Sequence, residues 1–96
     1  MEYEFIITNE GAGYRVQLKN EFERQVSWAW NSDIYAAVLE AVTWALKQSP
    51  GHTKDIVRAI LKTDFKEIET SLKMEALKKE FAVVETKEIK EFFIKV

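Results

Sequence analysis

The first thirty residues alternate apolar and polar positions with a period of two. Tyr3, Phe5 and Ile7 fall on one side of "EYEFIITN", and Glu2, Glu4 and Ile6 on the other. After "EGAG" (10–13), Tyr14, Val16 and Leu18 alternate with Arg15, Gln17 and Lys19. After "NEF", the stretch "RQVSWAWN" sets Val26, Trp28 and Trp30 on a single face. Period two with aromatic and β-branched residues predicts strands, and three strands joined by short turns predict an antiparallel meander.

The period then lengthens. From Ser32 to Gln48, Ile34, Val38, Ala41, Val42, Ala45 and Leu46 recur at the spacing of one helical face. Asn31 or Ser32 is expected to cap this helix. Asp33 suits the positive end of its dipole and Lys47 the negative end. "SPG" (49–51) stops it, because Pro50 cannot continue the ladder and Gly51 turns freely. "DIVRAILK" (55–62) reads as a strand buried on both faces, with a short helix from Thr53 as the competing reading. From Asp64, the positions Phe65, Ile68, Leu72 and Ala76 predict a helix reaching Lys79. "FAVVET" and "EFFIKV" read as strands, either paired through "KEIK" or with one of them an irregular tail. The expected order is β-β-β-α-β-α-β in a single domain over residues 1–96, a mixed sheet with helices packed on it, in the α+β or α/β class.

Composition narrows the chemistry. Of 96 residues 47% are hydrophobic and 12% aromatic, enough for a small core. With no Cys there is no disulfide framework and no thiolate ligand or nucleophile, which fits a reducing cytoplasm. His52 is the only histidine, so a His-rich zinc site within one chain is excluded, as is any Ser-His-Asp or Cys-His arrangement with support elsewhere. The formal net charge of −2 is unlike the basic footprint of a strong phosphate-backbone binder. Neither a signal peptide nor an apolar run of about 18 residues is visible, so a soluble protein away from membranes is expected.

Three short passages together resemble the ribonuclease H fold over residues 2 to 80. "NEGAGYRVQL" is similar to that family's first hairpin, "WNSDIYAAVLEAVTWALK" to its first helix, and "AILKTDFKEI" to its fourth strand and the helix that follows. The resemblance implies carboxylates at the strand ends and on the first helix, holding two divalent metals. This chain departs from that pattern. The first-strand position is Asn9 with Glu10 beside it, and Ile34, Tyr35 and Ala36 stand where the family carries Glu. Glu40 lies further along the helix, no further Asp follows Asp64, and Glu85 and Glu88 take no matching place.

Asp64 has a simpler use. It stands where a helix begins, with Glu67 three positions on, at the spacing of a capping box. Capping by Asp64 and Glu67 is therefore preferred to metal binding by Asp64 and Glu10, and no cofactor is expected. Trp28 and Trp30 either pack under a helix or anchor a partner. If the third strand is an edge, its backbone could also pair with a second copy, giving a homodimer. His52 and Lys54 read as exposed loop residues, "EGAG" as a hairpin turn, and Lys78 and Lys79 as complements to a helix dipole.

The favoured expectation is a non-catalytic ribonuclease H-like module acting through protein–protein contact, an accessory, regulatory or inhibitory protein of the kind phages and mobile elements encode. A HicB-type antitoxin-like domain, which "WAWNSDIYAAVLEAV" also resembles, implies neutralisation of an RNA-cleaving toxin. A weak nucleic-acid binder and a residual nuclease using Asp64, Glu10 and Glu40 are the remaining alternatives.

Overall fold

The computed structural model describes the backbone of residues 1–95 and the side chains of residues 1–80. Three antiparallel strands open the chain: β1 (Tyr3–Glu10), β2 (Gly13–Asn20) and β3 (Gln25–Asn31), in the spatial order β1-β2-β3. Helix α1 (Ile34–Gln48) follows, then a single 3₁₀ turn at Pro50–His52, α2 (Thr53–Lys62) and α3 (Phe65–Lys95). The class is α+β.

The two hairpins have different turn chemistry. Glu10 and Gly13 close a two-residue loop in which Gly11 has φ 65°. A positive φ at the first central position is the type II′ arrangement, which matches the twist of the strands. The second loop is longer. The Glu23 N–H donates to the Asn20 carbonyl (3.0 Å), and the Asn20 N–H to the Arg24 carbonyl (3.0 Å). Asn20 Oδ1 accepts from the N–H groups of Phe22 (2.9 Å) and Arg24 (3.1 Å), and Glu23 takes the left-handed conformation with φ 63°.

One face of the sheet is covered. Tyr3, Phe5, Val16, Leu18 and Ala29 meet Ala37, Val38, Ala41, Val42 and Ala45 of α1 and Ile56 and Ala59 of α2. Ser27 and Ala29 are the small residues of β3 beneath α1, and Ser27 Oγ donates to the Ala41 carbonyl at 2.7 Å. Small side chains on both sides let helix and strand approach closely. Asp33 caps α1, its Oδ2 accepting from the Ala36 N–H at 3.1 Å. Asn31, one of the two expected caps, instead accepts from the Asp33 N–H at 2.9 Å.

Three expectations are corrected. Residues 55–62 are helical, so the sheet has three strands and is antiparallel throughout instead of mixed. A strand buried on both faces would have had to bury Asp55, Arg58 and Lys62. As a helix, the segment buries Ile56 and Ala59 and leaves Arg58 and Lys62 in solvent. The expected strand at "FAVVET" and the described part of the one at "EFFIKV", as far as Lys95, lie within α3, which continues past Lys79. No Gly or Pro interrupts the chain from Phe65 onward, so the turn that a hairpin through "KEIK" needs has no residue to make it.

Helix α3 packs beside β1 on the covered side of the sheet, near the start of α1. Its start lies beside Tyr3, Glu4 and Phe5, and Leu72, Ala76 and Lys79 lie beside Thr8 and Asn9. Phe65 meets Phe5 edge-on, with ring centroids 5.1 Å apart. Among the described residues no element lies along the outer edge of β3. No helix among the described residues is long and apolar enough to cross a membrane.

Candidate functional site

Among the described residues no element covers the face of the sheet turned away from α1. Strand pairing fixes which residues lie across it. Ile6, Gln17 and Trp28 form one cross-strand row, and Thr8, Arg15 and Trp30 form the next. Trp28 and Trp30 are 52% and 45% exposed. The reading in which they pack under a helix is therefore corrected, because Ser27 and Ala29 take the inward positions of β3. Trp44 lies on α1 and is exposed as well.

The two indoles are held from below. The Trp30 Nε1–H donates to the Glu10 carbonyl at 3.0 Å. Its ring lies over Gly13, where an added Cβ would stand 2.7 Å from Trp30 Cζ2 and 2.6 Å from the Asn31 carbonyl oxygen. Only glycine leaves room for that approach. Arg15 is the cross-strand partner of Trp30, and its guanidinium lies 5.1 Å from the centre of the Trp28 ring. That is cation–π distance. Arg15 Nε is shielded from solvent and has no hydrogen-bond partner among the described residues. The arrangement is a cation held against an aromatic surface; Gln17 separates it from Lys19 along β2, and Lys19 lies opposite Glu4 of β1. Arg15 was read from the sequence only as a member of a polar face. Its register opposite Trp30 is the signal that marks it.

The acidic candidates do not converge. Asp64 lies beside the Tyr3–Phe5 end of β1, whereas Glu10 ends that strand. Seven residue steps in a strand separate those ends by about 23 Å. Glu40 is on the exposed side of α1. Among the described residues no three acidic or imidazole side chains gather in one place. Asp64 Oδ1 accepts a hydrogen bond from the Glu67 N–H at 3.1 Å, at the start of α3. No return bond from the Glu67 side chain is among those found, so this is half of a capping box.

His52 has a partner that the sequence reading did not supply. Its Nδ1 is 3.6 Å from Asp55 Oδ2 across one helical turn. The reading of 55–62 as a strand hid that i,i+3 relation. Asp55 also faces the N-terminal ammonium of Met1 at 3.5 Å and Arg58 Nη1 at 3.6 Å. Partial burial pushes the Asp55 carboxyl up. The ammonium charge and hydrogen bond, His52 and Arg58 together outweigh it, and the carboxyl titrates below its ordinary range. Nearby, burial first and then the Asp55 charge push the Tyr3 hydroxyl up. This cluster ties α2 to the start of β1. Lys54 is exposed on the first turn of α2, and Lys78 and Lys79 are exposed along α3, which does not end there.

Comparison with known proteins gives no match: no family model fits the chain, and no curated protein and no solved structure aligns with it significantly.

Proposed function

We propose that the protein is a small non-catalytic module that binds another protein through the open face of its sheet, in an accessory, regulatory or inhibitory role. One observation carries this reading: Trp28 and Trp30 stand exposed in adjacent rows of an uncovered sheet, with Arg15 against Trp28. Trp and Arg are enriched among the residues that anchor protein interfaces, and an indole buries a large area with only two torsions to freeze. The indole hydrogen bond to Glu10 lowers the ordering cost further. The face carries Arg15 and Lys19 against Glu4 and Glu10, a balanced set of charges that suits a protein surface better than a phosphate backbone.

The β-β-β-α order of the first 48 residues supports a ribonuclease H-like relationship, in an abbreviated form without the later strands. The same unit supports the second reading, a HicB-type antitoxin-like domain, whose partner would be a small RNA-cleaving toxin. The absence of Cys supports work in the cytoplasm.

Capture of partners from the source cell by the wild-type chain and by Gln17→Glu tests this. Gln17 sits between Ile6 and Trp28, and the substitution sets a charge in the middle of the face. A partner retained by the wild type and lost with Gln17→Glu supports the reading. Cleavage of RNA–DNA hybrid with Mg²⁺ that is lost in Asp64→Asn would overturn it, and salt-sensitive RNA binding would move the assignment to a nucleic-acid module.

A further inference from the structure

The sheet has two edge strands, β1 and β3. Among the described residues no helix or loop lies along the outer edge of β3, where a covering element is one of the ways proteins blunt a strand edge. Strand β3 also lacks the other usual guards: the seven residues Gln25–Asn31 include no charge and no Pro, in a chain whose residues are 31% charged. The bulge in its pairing falls at the end near Gln25, leaving Ser27 to Asn31 in regular register.

The hairpin register decides which main-chain groups face outward. Opposite residues in an antiparallel pair alternate between exchanging both hydrogen bonds and exchanging none. The two-residue loop makes Glu10 and Gly13 a bonded pair, and Thr8–Arg15 and Ile6–Gln17 follow as bonded pairs. The intervening residues of β2, Tyr14, Val16 and Leu18, therefore bond towards β3, to Asn31, Ala29 and Ser27. The N–H and C=O groups of Trp28 and Trp30 are left pointing out of the sheet.

We infer that a second copy of this chain pairs with β3 across a two-fold axis at Ala29, joining two sheets into one of six strands. In that register Trp28 of each copy faces Trp30 of the other, and the outward groups of both residues exchange four main-chain hydrogen bonds. Self-pairing meets no like charges, because the strand has none, and it sets aromatic beside aromatic on the open face. Both copies would then present one continuous surface holding four indoles. The inference goes beyond the protein-binding reading and does not depend on it.

The test uses the purified 96-residue chain alone. Sedimentation velocity across the micromolar range gives its mass, and amide exchange reports the Trp28 and Trp30 N–H groups. Twice the 11.2 kDa of one chain, with both amides protected, is the expected result. The mass of a single chain throughout, or a dimer whose Trp28 and Trp30 amides exchange freely, overturns it. A charge-swap pair tests the register. One chain carries Trp28→Lys with Trp30→Lys, and the other Trp28→Glu with Trp30→Glu. Each alone should sediment as a monomer with wild-type circular dichroism, and mixing them should restore the doubled mass. Two folded variants that stay monomeric when mixed would refute the register. Should either variant fail to fold, the wild-type exchange decides the matter.

Discussion

The Arg15 guanidinium lies 5.1 Å from the centre of the Trp28 ring, and its own cross-strand partner is Trp30. A long cationic side chain is thereby held against one indole and paired across the strands with another, on a face that no element covers among the described residues. At such exposed sites a cation–π pair contributes about 0.5–1 kcal/mol. Arg15→Ala should lower stability by roughly that amount in urea titrations, and Arg15→Lys should recover part of it. An unchanged urea midpoint in Arg15→Ala would show that the stack contributes nothing to the fold.

Glu23 sits at φ 63° in the second hairpin, where a residue with a Cβ is strained and glycine is not. Glu23→Gly should stabilise the protein by about 0.5–1 kcal/mol despite the added freedom of the unfolded chain. Thermal melting compared with wild type measures this, and a lower melting temperature would contradict it.

Asp64 accepts the Glu67 N–H at the first turn of α3. Asp64→Ala should cost about 0.5–2 kcal/mol, while Asp64→Asn, which keeps an acceptor, should cost much less. Neither Mg²⁺ nor a chelator should move the melting temperature of the wild-type chain if the cap is the residue's whole role. A Mg²⁺-dependent rise that Asp64→Asn abolishes would assign it a metal.

The Asp55 cluster makes stability depend on pH in a defined direction. Its carboxyl is held below its ordinary value of 3.8, so on acidification the unfolded chain takes up the proton first. The stability this group contributes is present above that value and is lost as pH falls through the folded-state value. Tyr3 works in the opposite sense, since its hydroxyl is raised above 10.0, and its contribution is lost as pH rises beyond that. Asp55→Asn should flatten the acid limb of a melting temperature against pH profile and leave neutral pH behaviour nearly level. An acid limb of unchanged slope would remove Asp55 as its source.

The meander and first helix were legible because their periods are clean. Alternation placed Tyr3, Phe5, Val16 and Leu18 inward, and the 3.6-residue repeat placed Ile34, Ala41 and Ala45 on the core face of α1. In residues 55–62 Ile, Val, Ala and Leu predominate as in a buried strand, and only Asp55, Arg58 and Lys62 break the run at helical spacing. A ten-residue helix needs only Ile56 and Ala59 inside. The orientation of β3 was hidden for a different reason. Alternation gave Val26, Trp28 and Trp30 a common face, and size suggested that this face was the core. The smaller Ser27 and Ala29 won the inward side because α1 sits close upon them, which no single-strand pattern reveals. Arg15 became visible as a candidate only when the hairpin register set it opposite Trp30.

All three tryptophans of this chain stand at least 45% exposed, and the core is built from aliphatic, tyrosine and phenylalanine side chains. Intrinsic indole emission therefore reads the outside of the molecule. Denaturation should shift its wavelength only slightly, so the colour of the fluorescence is a poor gauge of folding here. Whatever settles on the open face will dry Trp28 and Trp30 and move their emission to the blue, and the protein thus carries its own optical reporter of association.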